Sequence, residues 1–163
     1  MQVRPYEPGD EARMAEYAPE AFAVWARLGI DYTLPRDKTN LAYASEAEGY
    51  ARRARAGEQD FAVFVATLEG SVVGHIVVAV HEGWTRLYGF RWGWIVSLAV
   101  DPARHHQGIG SALCARGVEW LRERKCRYVE VSTDQNNIAA IRTYEKHGFR
   151  VIYSGVTLSQ YLE

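Results

Sequence analysis

Two stretches of the chain hold residues whose types and spacing suit chemistry. The first is "VDPARHHQGIGSALC", Val100 to Cys114. It sets His105, His106 and Gln107 ahead of Gly108-Ile109-Gly110, and an apolar pattern of helical spacing follows. Adjacent histidines suggest a metal, a Gly-x-Gly suggests a dinucleotide, and a glycine turn entering a helix suggests a bound phosphate. The metal reading lacks partners, because neither Cys114 nor Cys126 adds a ligand spacing, so no metal site is expected. A dinucleotide fingerprint would need Gly or Ala where Leu113 stands, and the Walker pattern G-x-x-x-x-G-K-[ST] is absent. What remains is an anion cradle. Backbone N–H groups from Arg104 to Gly110 would run into a helix N-terminus, where donors are unpaired and the helix dipole is positive. The competing reading is a plain strand-to-helix connection.

The second stretch is "NIAAIRTYEKHGF", Asn137 to Phe149. On a helix, Asn137 and Tyr144 lie two turns apart on nearly the same line, with Ala140 and Ile141 on the adjoining surface. A phenol with an ordinary pKa of about 10 keeps its proton at neutral pH and can give it to a departing anion.

The elements that must position these residues follow from periodicity. A helix is expected from Asp10 to Leu28, with Met14, Ala18, Ala21, Phe22, Trp25 and Leu28 on one stripe and Asp10 as N-cap. A weaker helix is expected over 45–56, opened by a Ser45-x-x-Glu48 capping box and closed by Gly57. "FAVFVATLEGSVVGHIVVAV" reads as two strands joined at Glu69-Gly70. In "FRWGWIVSLAV", alternation assigns Phe90, Trp92, Trp94, Val96, Leu98 and Val100 to one face. Arg91, Gly93, Ile95, Ser97 and Ala99 then take the other. A helix over 108–124 should bury Ile109, Leu113, Trp120 and Leu121. "RYVEVST", "NIAAIRTYEKH" and "FRVIYSGVTL" read as strand, helix and strand. The order β-α-α-β-β-β-α-β-α-β describes an α/β chain: one mixed sheet flanked by about four helices, in a single domain over 1–163.

Bulk properties narrow the partners. With 163 residues, 48% of them hydrophobic, the chain can bury a sizeable core. A net charge of -1 gives no basic field for nucleic acid or for an anionic membrane surface. No apolar run reaches the roughly 18 residues of a membrane span. The first residues lack a secretory apolar region, and two cysteines without paired spacing suit a reducing, cytoplasmic setting.

Taken together, "V-D-P-x-x-H-H-Q-G-I-G-S-A-L" and "N-x-x-A-I-x-x-Y-E-K-x-G-F" resemble the two signature segments of the GNAT superfamily of acetyl-CoA-dependent N-acyltransferases. The likeness is strongest from Trp94 to Phe149. The resemblance implies that the strand ending at Val100 carries a bulge and splays from the strand over "YVEVST". It further implies that the pantetheine arm of acetyl-CoA lies in that opening against main-chain groups of Leu98, Ala99 and Val100. Residues Arg104, His105, His106, Gln107, Gly108, Ile109, Gly110 and Ser111 would hold the pyrophosphate. Asn137 and Ala140 would help to position the cofactor, and Tyr144 would protonate the leaving thiolate. One position departs from the family pattern: residue 105, usually Gln or Arg, is His.

The implied acceptor is a primary amine, which must lose a proton before it attacks. Many relatives use a carboxylate near the positions of Val96 and Ser97, and none stands there. His75, His81, Glu82 or a water are the remaining candidates, with His75 read first as a core histidine. The strand aromatics from Phe90 onward are read as core, while Trp84 and Tyr88 could line an acceptor pocket or a dimer interface; homodimers are common in such a family. The alternative function is a degenerate domain that binds acyl-CoA or a partner without turnover.

Overall fold

The computed structural model describes residues 1–22 and 36–155, with backbone alone for Phe22 and for 36–44. Five strands form one sheet in the order β1-β2-β3-β4-β5: β1 Gln2–Pro5, β2 Phe61–Leu68, β3 Ser71–Val80, β4 Trp92–Val100 and β5 Tyr128–Val131. The first four pair antiparallel, and β5 joins β4 in parallel. Helices α1 (Asp10–Phe22) and α2 (Arg36–Arg55) cover one face, and α4 (Ile109–Glu123) covers the other with α5 (Ile138–Lys146) beside it. A short helix α3 (Glu82–Tyr88) sits at the start of β4. This is the expected α/β mixed sheet.

Each face has its own apolar core. On the α4 side, Ile76, Val78, Ile95, Ile109, Leu113, Trp120, Leu121 and Tyr144 pack together. On the α1/α2 side, Met14, Tyr17, Ala47, Val63, Val65, Val77, Ala79 and Ala99 do so. The four expected core positions of α4 are all buried. Gly117 lets α4 approach the sheet: a Cβ there would stand 2.6 Å from Ile76 Cδ1 and 3.0 Å from Val78 Cγ1. The β2–β3 turn places Glu69 and Gly70 at φ of 53° and 80°, the left-handed pair that a two-residue hairpin needs.

Several expectations need correction. Helix α2 begins at Arg36, nine residues before Ser45, so Ser45 and Glu48 lie inside it and form no capping box. Asp10 opens α1, but Arg4 (2.7 and 2.9 Å) and the Glu7 N–H (2.8 Å) take its carboxylate. The stripe residues Phe22, Trp25 and Leu28 fall outside the described side chains. Residues 82–88, read as loop or strand end, form α3, because the His81 ring caps it and Gly89 at φ 73° closes it. Residues 149–155 carry no strand, and Val151, Ile152 and Tyr153 stand exposed. Their β-forming side chains have no ladder partner there, and propensity without pairing does not make a strand. The rest of that expected strand lies outside the described residues.

The most consequential correction is in β4. Its register with β3 shifts between Val77↔Ser97 and Val78↔Ile95, leaving Val96 as an extra residue. Such a bulge reverses the side-chain parity of everything after it. Gly93, Ile95, Leu98 and Val100 therefore face α4, while Trp94, Val96, Ser97 and Ala99 adjoin the α1/α2 side. Simple alternation had separated Ile95 from Val100 and joined Trp94 to Leu98. Trp94 is also not core, being 37% exposed.

Candidate functional site

The loop after β4 is built from its backbone. Asp101 opens a 3-10 turn over Pro102–Arg104, accepting the Ala103 N–H at 2.9 Å. Arg13 of α1 reaches the same carboxylate at 3.2 Å and ties the loop to the opposite layer. His106 (φ 63°) and Gly108 (φ 78°) then turn the chain through the left-handed region. Gly108 is the N-cap of α4 and has no side chain to cap with. The N–H groups of His106 through Ser111 meet no acceptor among the described residues. The first bond of the helix, Ala112 N–H to Gly108 carbonyl at 3.0 Å, lies beyond them. Successive donors at a helix N-terminus form an anion-binding geometry. A Cβ on Gly108 would meet no atom within 4 Å, so glycine is needed there for conformation. At Gly110 it would touch Leu98 and Val100 at 3.7 Å, an ordinary packing distance.

The side chains of the loop are mostly committed elsewhere. The His105 ring hydrogen-bonds the Val100 carbonyl at 3.1 Å through Nε2, folding the loop back onto the end of β4. Arg104 reaches Glu69 only at 3.9 Å, and both are exposed. Ser111 Oγ meets His147 Nε2 at 2.9 Å, joining the first turn of α4 to the end of α5. No group of three or more His, Cys, Asp or Glu fit for a metal occurs among the described residues.

Helix α5 presents the second motif. Asn137 is its N-cap, with Oδ1 accepting the Ala140 N–H at 3.2 Å, which leaves its amide donors for another partner. Ala140 packs against the α4-side core. Tyr144 is buried there, its ring 5.7 Å from that of Phe149. Burial raises the Tyr144 pKa, and proximity to Cys114 adds to the rise, so the phenol stays protonated. Its hydroxyl has no hydrogen bond among the described residues. Cys114 is fully buried and burial lifts its thiol to about 11, which argues against a covalent role.

Between these motifs the sheet opens. The β4–β5 ladder runs from Trp92↔Tyr128 to Ile95↔Val131 and stops, while β4 continues to Val100. The edge formed by Leu98, Ala99 and Val100 lies past that fork, next to the loop.

The other side of the fork is built from side chains. His75, 2% exposed, is the core histidine that was expected, yet it is bonded at both ring nitrogens. Tyr17 Oη lies 2.8 Å from Nδ1, and Ser97 Oγ lies 3.3 Å from Nε2. Each hydroxyl can donate or accept, so a neutral ring is satisfied in either tautomer. Burial holds the His75 pKa down to about 4. Tyr50 of α2 is the next phenol along: burial and then the Glu46 charge raise it to about 12, against the pull of its contact with Ser97. Of the other base candidates, Glu82 is exposed and paired with Arg86 at 2.8 Å. His81 uses Nδ1 to accept the Trp84 N–H at 3.1 Å and sits 5.6 Å, ring to ring, from both Trp84 and Trp94.

Sequence reasoning missed Glu130 altogether. Tyr128, Glu130 and Ser132 alternate, a signal that they share a face, but only the β4–β5 register shows Glu130 beside Trp94.

The profile of the acetyltransferase (GNAT) family matches residues 17–149. The chain belongs to that family. Mycothiol acetyltransferase of Amycolatopsis mediterranei is 36% identical over 99 residues, covering 60% of this chain and 32% of that protein. The Sanguibacter keddieii mycothiol acetyltransferase is 44% identical over 59 residues, 36% of this chain and 19% of that one. The chain thus spans about a third or less of the curated relatives it matches. Among solved structures, PaiA N-acetyltransferase of Thermoplasma acidophilum in complex with coenzyme A aligns with a TM-score of 0.72 at 16% identity. It covers 92% of this chain and 89% of that one. An aminoglycoside acetyltransferase from a soil metagenome aligns with a TM-score of 0.65 at 20% identity, covering 99% and 96%. At these identities the likeness shows the GNAT fold.

Proposed function

We propose that this GNAT chain is an N-acetyltransferase, a single catalytic unit over 1–163 that moves the acetyl group of acetyl-CoA directly to a primary amine. The observation that carries the reading is the row of N–H groups from His106 to Ser111, beside the fork where β4 leaves β5. A pyrophosphate fits that row because backbone donors and the α4 dipole supply positive potential without side chains. Arg104, His105, His106 and Gln107 line its approach, and Gly108, Ile109, Gly110 and Ser111 form its floor. The edge at Leu98, Ala99 and Val100 offers main-chain groups to the pantetheine arm, although His105 already engages the Val100 carbonyl. The uncommitted amide donors of Asn137 and the close-packed Ala140 border the same arm.

In the reaction, the amine nitrogen bonds to the acetyl carbon and the carbon–sulfur bond breaks. Tyr144 donates its proton to the departing thiolate, and the proton shed by the new amide nitrogen passes to solvent, from which the phenolate is re-protonated. The ammonium proton leaves to a base before attack. The names of the relatives and of the solved structures support acetyl transfer. Two unpaired cysteines, one fully buried, suit a cytoplasmic location.

Isothermal titration with acetyl-CoA tests the reading. Micromolar binding is expected in the native chain, and Gly110→Glu should weaken it at least about a hundredfold by driving a charged side chain from the first turn of α4 toward the Leu98–Val100 edge proposed for the pantetheine arm. Equal binding by both proteins would reduce the loop to a connection.

A further inference from the structure

An open concavity lies where α3 meets β4 and β5, lined by His81, Trp84, Trp92, Trp94, Glu130 and Ser132. It opens beside the last β4–β5 pairs, Trp94↔Glu130 and Ile95↔Val131, at the fork itself. Its walls are aromatic. The Trp84 and Trp92 rings lie 6.0 Å apart, and His81 bridges Trp84 to Trp94. Trp92 is braced from behind by Tyr128 (4.2 Å) and Tyr88 (4.9 Å). Two indoles that a core would bury stay open here, Trp84 at 40% and Trp94 at 37% exposure.

The charge of the site is one-sided. Among the described residues, Glu130 has no ion pair and no hydrogen bond, and neither Lys nor Arg lines the concavity. Elsewhere on this protein carboxylates are commonly paired: Asp10, Glu11, Glu58, Glu82, Asp101 and Glu119 all hold an arginine. An aromatic wall attracts a cation through its ring faces, and a lone carboxylate supplies the counter-charge. The helix α3 is locked over the site, with His81 as its cap and the Thr85 hydroxyl accepting the Trp92 N–H at 3.0 Å. The walls are thus held before any ligand arrives.

We propose that this concavity is the acceptor site, and that it takes a primary ammonium carried on an aromatic or apolar body, with Glu130 holding the ammonium and Trp84, Trp92 and Trp94 holding the body. The inference rests on the transferase reading for the word acceptor, but the binding chemistry stands apart from it.

The probe is 2-phenylethylammonium, titrated calorimetrically into the full chain, with neutral 2-phenylethanol as its uncharged match. The native chain should bind the amine at least about tenfold more tightly than the alcohol. Glu130→Gln, which keeps the shape, should erase that preference, and Trp84→Ala should weaken both ligands. Acetyl-CoA binding, measured on the same samples, should be unchanged in both variants. Equal affinity for amine and alcohol, or an unchanged preference in Glu130→Gln, overturns the proposal. So does a native chain that binds acetyl-CoA but not the amine, and that result leaves the transferase reading intact. Amine binding that depends on Glu130 without any acetyl-CoA binding would uphold the site and defeat the transferase reading.

Discussion

The two sides of the β4–β5 fork are made from different materials. On the α4 side the candidate site is main chain: six N–H groups, two left-handed residues and a helix end. On the α1/α2 side it is side chains brought from five elements: Tyr17 of α1, His75 of β3, Trp84 of α3 with its cap His81, Trp94 and Ser97 of β4, and Glu130 of β5. A backbone site is specified by a short contiguous motif and tolerates exchange of its side chains, as His105 illustrates. A side-chain site depends on register and on what packs behind each group. The first kind suits a constant ligand, and the second suits one that differs between relatives.

Three substitutions probe that division, in order of expected effect. Tyr144→Phe removes the one side chain that the backbone side needs. Turnover should fall about a hundredfold, within the usual range for a lost general acid, while acetyl-CoA binding stays constant. Free-thiol release and calorimetry on one preparation measure both, and unchanged turnover would assign Tyr144 to packing. His75→Gln tests how far the opposite side depends on a buried neutral ring. The unfolded chain takes up a proton at this residue near pH 6.5, but the folded chain does so only near 4. Between those values the unfolded state binds more protons, so stability falls as pH falls, in total by on the order of 3 kcal/mol. Urea unfolding from pH 7 to 4 should show that slope in the native chain and a flatter one in the variant; parallel curves would place the ring's charge outside the balance. Glu82→Gln should be the quietest. Its pair with Arg86 is exposed on both sides, so stability should move by less than about 0.5 kcal/mol and turnover not at all. A large loss of activity would return Glu82 to the list of bases.

Legibility in the sequence followed the same division. "HHQGIGSALC" is read locally, and α4 and its buried positions appear where the pattern put them, with Gly108 as the cap instead of the first helical residue. The β2–β3 hairpin was likewise legible, because Glu69-Gly70 carries its own turn chemistry. The face assignments of β4 were not. The resemblance implied a bulge in this strand, but no residue type in "WIVSLAV" announces that Val96 is the extra residue that reverses the parity of everything beyond it. Glu130 was invisible for a related reason: its significance lies in a neighbour, Trp94, more than thirty residues earlier. α3 was hidden because its cap is a histidine, an uncommon choice whose effect shows only in the ring's contact with the Trp84 N–H. The chain over 149–155 had strand-forming residues and nothing to pair them with.

Gly117 has a mechanical consequence. It is the point at which α4 rests on Ile76 and Val78, two turns along from the end that bears the row of N–H groups. The helix is a stiff rod also seated through Leu113 and Leu121, so a displacement at this closest approach is carried along its axis to the end about 12 Å away at 1.5 Å per residue. A methyl group at 117 would push the rod off Ile76 and Val78 and shift donors that it never touches. Grip on a ligand at the sheet's mouth is therefore adjustable from within the core, through a residue with no side chain at all.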